Sequence, residues 1–171
     1  LQKKGDTSGA ESLYRRALEA SECVLGPEHP TTWVSVIELG RLLDAKASFL
    51  DHEGNWAAAE PLYRHALEER ERILGPDDPI TLASAGLFAF LLHLNGDLAA
   101  AEGLYRHSLE AQERVMGPEH PDTLESVNEL ASVLFDKGDL AAAEPLYRRA
   151  LEVRERVLGP EHPDTLTSVN N

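Results

Sequence analysis

The sequence predicts an all-α protein, an α-solenoid of antiparallel helix hairpins, and three observations lead there. One stretch recurs four times: AESLYRRALEASECVLGPEHPTTW from Ala10, AEPLYRHALEERERILGPDDPITL from Ala59, AEGLYRHSLEAQERVMGPEHPDTL from Ala101 and AEPLYRRALEVRERVLGPEHPDTL from Ala143. Its tyrosines, Tyr14, Tyr63, Tyr105 and Tyr147, are spaced by 49, 42 and 42 residues, a period of 42 with one insertion of seven. Fixed-period self-similarity marks a repeat array, in which the core forms between neighbouring units. Apolar residues within each copy fall at helical spacing, and glycine and proline stand where helices must end and begin.

The elements follow in order. Leu1–Asp6, LQKKGD, matches the end of a later helix, LFDKGD at Leu134–Asp139, so the first unit is half present. From Ser8 to about Leu25, Leu13, Tyr14, Ala17, Leu18 and Val24 recur near i, i+3 and i+4, which places them on one helical face. Gly26 supplies a left-handed cap and Pro27 forbids continuation. In the HP and DP pairs the proline biases His29, Asp78, His120 and His162 away from helical angles, and proline suits the first helical position. A helix therefore starts at each such proline.

The helix from Pro121 to about Lys137 turns Leu124, Val127, Leu130, Ala131 and Leu134 inward, Gly138 closes it, and Asp139 caps its successor. The same punctuation at Gly54-Asn55 and Gly96-Asp97 makes each unit two antiparallel helices joined by a short turn. One array over 1–171 is expected: a half repeat at 1–29, a repeat with the insertion at 30–78, repeats at 79–120 and 121–162, and the start of another at 163–171.

The insertion lies between Leu43 and Gly54. Seven residues are nearly two turns, so Leu43 and Leu50 keep almost the same facing. Because the partner helix from Asn55 has no matching extension, two full extra turns would project about 10 Å beyond the stack. The expectation is one extra turn ending near Leu50 and a protruding return through His52, with overextension of the helix as the alternative.

Composition narrows the function. Thirty acidic against sixteen basic residues give a net charge of -14, which repels nucleic acid and anionic lipid. One cysteine, Cys23, excludes an internal disulfide and makes a reduced, cytoplasmic setting the default. Neither a membrane-spanning run nor a signal-peptide pattern is present in the sequence.

At Ala143–Leu166 and its three copies the residues resemble the tetratricopeptide repeat, and more closely its 42-residue kinesin light chain-like variety, in which AExLYxRALxIxExxLGxxHPD recurs. The inward positions of that family fall on Val127, Leu130, the small Ala131, Leu134, Ala143, Tyr147 and Ala150. Departures are Ser108 for the alanine matching Ala150 and Thr7 for the leucine matching Leu140. The resemblance implies a right-handed superhelix whose concave wall, made by the first helix of each hairpin, grips an extended peptide. Its groove positions fall on Val34, Ile37 and Arg41; on Ala83, Gly86, Phe90, His93 and Leu94; on Glu125, Asn128, Ser132, Phe135 and Asp136; and on Asn170.

Among these, Phe90 and Phe135 are candidate anchors for a partner side chain, with packing between repeats as the alternative. Asn128 and Asn170 offer both donor and acceptor to a peptide backbone, with helix-to-helix bonding as the alternative. Arg41 is the one cation placed there, so the groove lacks the basic lining suited to the acidic peptides that kinesin light chains accept. Glutamate and arginine alternate at four-residue steps from Glu60, Glu102 and Glu144, a solvated stripe of helix-supporting pairs. His65 and His107 occupy equivalent places in hairpins about 10 Å apart, too far to share an ion. No nucleophile, base and orienting group recur together, and no phosphate loop follows a strand.

The expected function is a non-catalytic scaffold for protein interaction, without cofactor or metal, that takes a protein or peptide partner and neither nucleic acid nor membrane. The alternative is a structural spacer that associates end to end with further copies.

Overall fold

The computed structural model describes residues 7–170, with side chains from residue 9 to residue 169. Eight helices and no strand are found among them: α1 (Thr7–Leu25), α2 (Pro30–His52), α3 (Trp56–Leu74), α4 (Pro79–Leu94), α5 (Leu98–Val115), α6 (Pro121–Asp136), α7 (Leu140–Leu158) and α8 (Pro163–Asn170). The all-α array of antiparallel hairpins is thus found. The chain divides into two compact units whose boundary, between Phe88 and Ala89, falls inside α4. The LQKKGD segment lies outside the described residues.

The helices beginning at proline carry a cap that the sequence pattern alone left unread. The side chain before the proline accepts a hydrogen bond from a backbone N–H two residues on: His29 Nδ1 from Thr31 at 3.1 Å, Asp78 Oδ1 from Ile80 at 2.8 Å, His120 Nδ1 from Asp122 at 3.3 Å. Pre-proline extended backbone and side-chain acceptor thus act together. At the other ends Gly26, the position expected to form a left-handed cap, has φ 90°; its counterpart Gly75 takes φ 93°, ψ 159°, a positive-φ region open chiefly to glycine but outside the left-handed helical region. Asp97 and Asp139 cap α5 and α7 through Ala100 and Ala142 at 3.1 Å. Asn55 sits at the same place before α3 without a side-chain cap.

In the second unit Leu124, Val127, Leu130, Ala131 and Leu134 of α6 are all buried, as are Ala143 and Ala150 of α7. Small side chains let the two helices approach closely. In the first unit Leu18, Val36, Leu39, Leu43, Ala66 and Ile73 form one core cluster across α1, α2 and α3.

The insertion is where expectation and structure part. α2 runs unbroken to His52, 23 residues against 16 for α6, so all seven extra residues are helical. They do not stand alone beyond the stack, because α3 begins at the tip of the longer helix and runs back along it. Two registers meet on α2. Counted from its proline, it lies on α1 as α6 lies on α5: Lys46 pairs with Glu11 as Lys137 pairs with Glu102, each 35 residues apart. Counted from its terminal glycine, it lies against α3 as α6 lies against α7: Tyr63 is beside Ser48 as Tyr147 is beside Ser132.

α3 is consequently slid along α1 by about 10 Å, two helical turns. Partners shift accordingly. Arg156 of α7 holds Glu119 in the loop before α6, but its counterpart Arg72 holds Glu22, six residues before the matching Glu28. Arg149 holds Glu113, whereas its counterpart His65 meets Arg15, seven residues before the matching Glu22.

Candidate functional site

In the second unit, the second half of α4 and the outer side of α6 carry most of the residues that the groove positions named. Phe90, Leu94 and Phe135 are 44%, 45% and 54% exposed. Aromatic rings held open to this degree are not consumed by packing and present apolar area to a ligand. His93 Nε2 donates to Asp136 Oδ2 at 2.6 Å and ties α4 to α6. Asn128 is buried, contrary to an open groove position, yet its Oδ1 has no hydrogen-bond partner. An unpaired buried carbonyl is costly and favours any donor that reaches it. Ser132 is half-buried beside Tyr147.

A polar cluster lies beneath this face. Tyr105 donates its hydroxyl to Glu129 at 3.4 Å. Burial, with the nearby Glu125 charge, pushes the Glu129 carboxyl above the ordinary carboxylate range, since both disfavour the anion. Burial and Glu129 likewise raise the Tyr105 phenol, which stays a donor at neutral pH. Phe135 also edges an open hollow of about 370 Å³ between α6, α7 and α8, lined by Leu140, Ala143, Tyr147, Leu151 and Ser168.

In the first unit the candidates are more closely tied down. Ile37 packs against the core cluster with Leu62 and Leu74. Arg41 is exposed and engaged by Glu38 at 3.0 Å. Asn170 ends α8, and its side chain lies outside the described residues.

The charged stripe is half as regular as the sequence suggests. Glu11, Glu60, Glu102 and Glu144 do pair with arginine four residues on, at 2.6 to 3.0 Å. The next arginine along, however, reaches to a neighbouring hairpin, Arg72 to Glu22 and Arg156 to Glu119. Periodicity could not show this, because it sees one helix at a time.

Models of the tetratricopeptide repeat match residues 1–31 and 123–164, and residues 38–114. Together these spans cover most of the chain, which belongs to the tetratricopeptide repeat family, repeat scaffolds of protein–protein interaction. Among solved structures it resembles kinesin light chain-like members of that family. One is BtubC (BKLC) from P. vanneervenii, with TM-score 0.71 and 23% identity over 98% of this chain. Another is a kinesin light chain-like protein of Podosopora anserina with nearly identical TPR-like repeats, with TM-score 0.63 and 26% identity over 98% of this chain; a point variant of that protein gives TM-score 0.65. The chain spans 65% of the first of these proteins and 76% of the second. No curated protein matches the sequence.

Proposed function

We propose that the protein is a non-catalytic scaffold that holds a peptide segment of a partner protein against the first helices of its hairpins, in a reduced, cytoplasmic setting. The observation that carries this reading is the open face of α4 and α6, where Phe90, Leu94 and Phe135 stand exposed, while Asn128 of α6 keeps a buried Oδ1 with no donor among the described residues. Apolar anchors around one polar contact are what fixes a peptide side chain and its backbone together. Ile37, Arg41, His93, Ser132 and Asn170 complete the proposed contact positions. Family membership and the kinesin light chain-like relatives support the same reading.

The test is capture of partner peptides from an array by the whole chain and by the Phe90→Ala, Asn128→Ala double variant. Loss of the captured set in the variant supports the face as the site. An unchanged set removes it.

A second reading is end-to-end association of copies. Light scattering over a wide concentration range separates the two, since a strict monomer excludes association.

A further inference from the structure

The slide of α3 uncovers part of α2. Near the end of α3, Arg70 lies over Gly40, and Ile73 packs with Val36. The stretch Pro30–Ser35 therefore runs past the end of α3, and among the described residues no helix lies where α7 would lie in the other unit. Trp33 stands there 43% exposed, although Leu82 and Leu124, three residues after their own prolines, are 1% and 2% exposed. Beside it Val34 is 59% exposed, and Leu25 at the end of α1 is 46% exposed. The intervening loop is fixed to this ledge by Thr32 Oγ1, which donates to the Gly26 carbonyl at 2.8 Å. A tryptophan thus stands where the other repeats have leucine, at a position from which the covering helix has withdrawn; Leu166, its counterpart in α8, is 50% exposed as well.

The rim is one-signed. From Ala17 to Gly40 the chain has four glutamates and neither lysine nor arginine. Arg72, which would have faced Glu28, is engaged by Glu22 and Glu69 instead. Arg41 is held by Glu38. Glu28 and Glu71 remain exposed.

We propose that this ledge is a second docking surface, distinct from the face on α4 and α6, and that its occupant is a cationic amphipathic helix of a partner protein. The vacated space is one that a helix fills elsewhere in the repeats. Its apolar floor of Trp33, Val34 and Leu25 matches one helical stripe, and its carboxylate rim matches lysine or arginine flanking that stripe. A second copy of this chain brings the same acidic charge to the same place and is repelled.

The chain has two tryptophans, so Trp56→Phe leaves Trp33 as the sole reporter. The probe is a helical leucine–lysine peptide of about four turns, apolar on one face, with its leucine–glutamate counterpart as control. The lysine peptide is expected to shift Trp33 emission to the blue saturably, to shield it from acrylamide, and to bind more weakly as salt rises. Val34→Lys is expected to weaken that binding about tenfold, while Glu152→Lys, a larger charge change elsewhere, is expected to leave it within about twofold. Retention of binding in the Phe90→Ala, Asn128→Ala variant separates this surface from the face on α4 and α6. Equal binding of the glutamate peptide, an unsaturable response, or indifference to Val34→Lys overturns the proposal.

Discussion

Gly40 of α2 and Arg70 of α3 occupy one space: a Cβ added to Gly40 would lie 2.5 Å from Arg70 Nε and 2.6 Å from its Cζ. The guanidinium is buried, donates to Asp44 Oδ2 at 2.6 Å, and donates to the Ser84 hydroxyl. In the other unit Arg154 reaches Ser168 in the same way at 2.7 Å. The absent side chain of Gly40 admits a buried cation that links α3 both back to α2 and on to α4.

Gly40→Ala should accordingly destabilise the protein although alanine is the better helix former by about 1 kcal/mol. Displacing a packed, paired arginine costs about 1–3 kcal/mol, which outweighs that gain. Urea unfolding should show a lower midpoint at unchanged slope. A midpoint equal to or above that of the parent would show that Arg70 moves aside freely.

Glu129→Gln should stabilise the protein at neutral pH. Because burial raises the folded-state pKa of Glu129, its protonation favours folding at low pH, and that benefit is lost as pH rises through the raised value. Glutamine keeps the acceptor for Tyr105 without the charge. The expected gain is on the order of 1 kcal/mol at pH 7; it shrinks on acidification through the raised value and is gone below the ordinary carboxylate range. Chemical denaturation across pH checks it, and a constant difference at all pH values refutes it.

Glu102→Gln should behave in the opposite sense. Lys137, then Arg106, hold the Glu102 carboxyl below its ordinary value, so its stabilisation is present above that value and fades as pH falls through the lowered one. Both partners are solvent-facing, and the loss at pH 7 should stay under about 1 kcal/mol. A thermal melt series should show parent and variant converging in acid.

Deleting Asp44–Leu50 removes seven residues in one block and should return α3 to the register of α7. Trp33 then takes the place that Leu124 occupies, under a neighbouring helix. With Trp56→Phe as background, acrylamide quenching of Trp33 should fall and its emission move to the blue. Unchanged exposure of Trp33 in a folded deletion variant would mean that the slide of α3 has another cause.

The hairpins, their proline starts and the buried face of α6 were legible because each depends on residues close in sequence. The fate of the insertion was not, since seven residues preserve facing and leave open which neighbour sets the register. That choice is made by contacts distant in sequence: Lys46 with Glu11 on one side, Ser48 with Tyr63 on the other. A signal was present in the small residues, for Gly40 and Ala47 stand ten residues after Pro30 and seven before Gly54, the two places that Ala131 fills at once. At the candidate site, the exposure of Phe90 and Phe135 agrees with their placement on the open face. The burial of Asn128 was not legible, because a groove position read from one helix carries no information about the neighbour that closes over it.

The slide of α3 also sets a rule for what lengths this scaffold tolerates. Seven residues turn a helix through whole revolutions less about 20°, so the apolar stripe of α2 still meets both neighbours and the change is absorbed as an offset. Five residues would rotate the stripe by about 140° and expose it to water. Lengthening α2 by seven or eleven residues changes the terraces on the outside of the protein while its interior stays the same, which lets a nearly uniform set of repeats acquire new surface relief without a new fold.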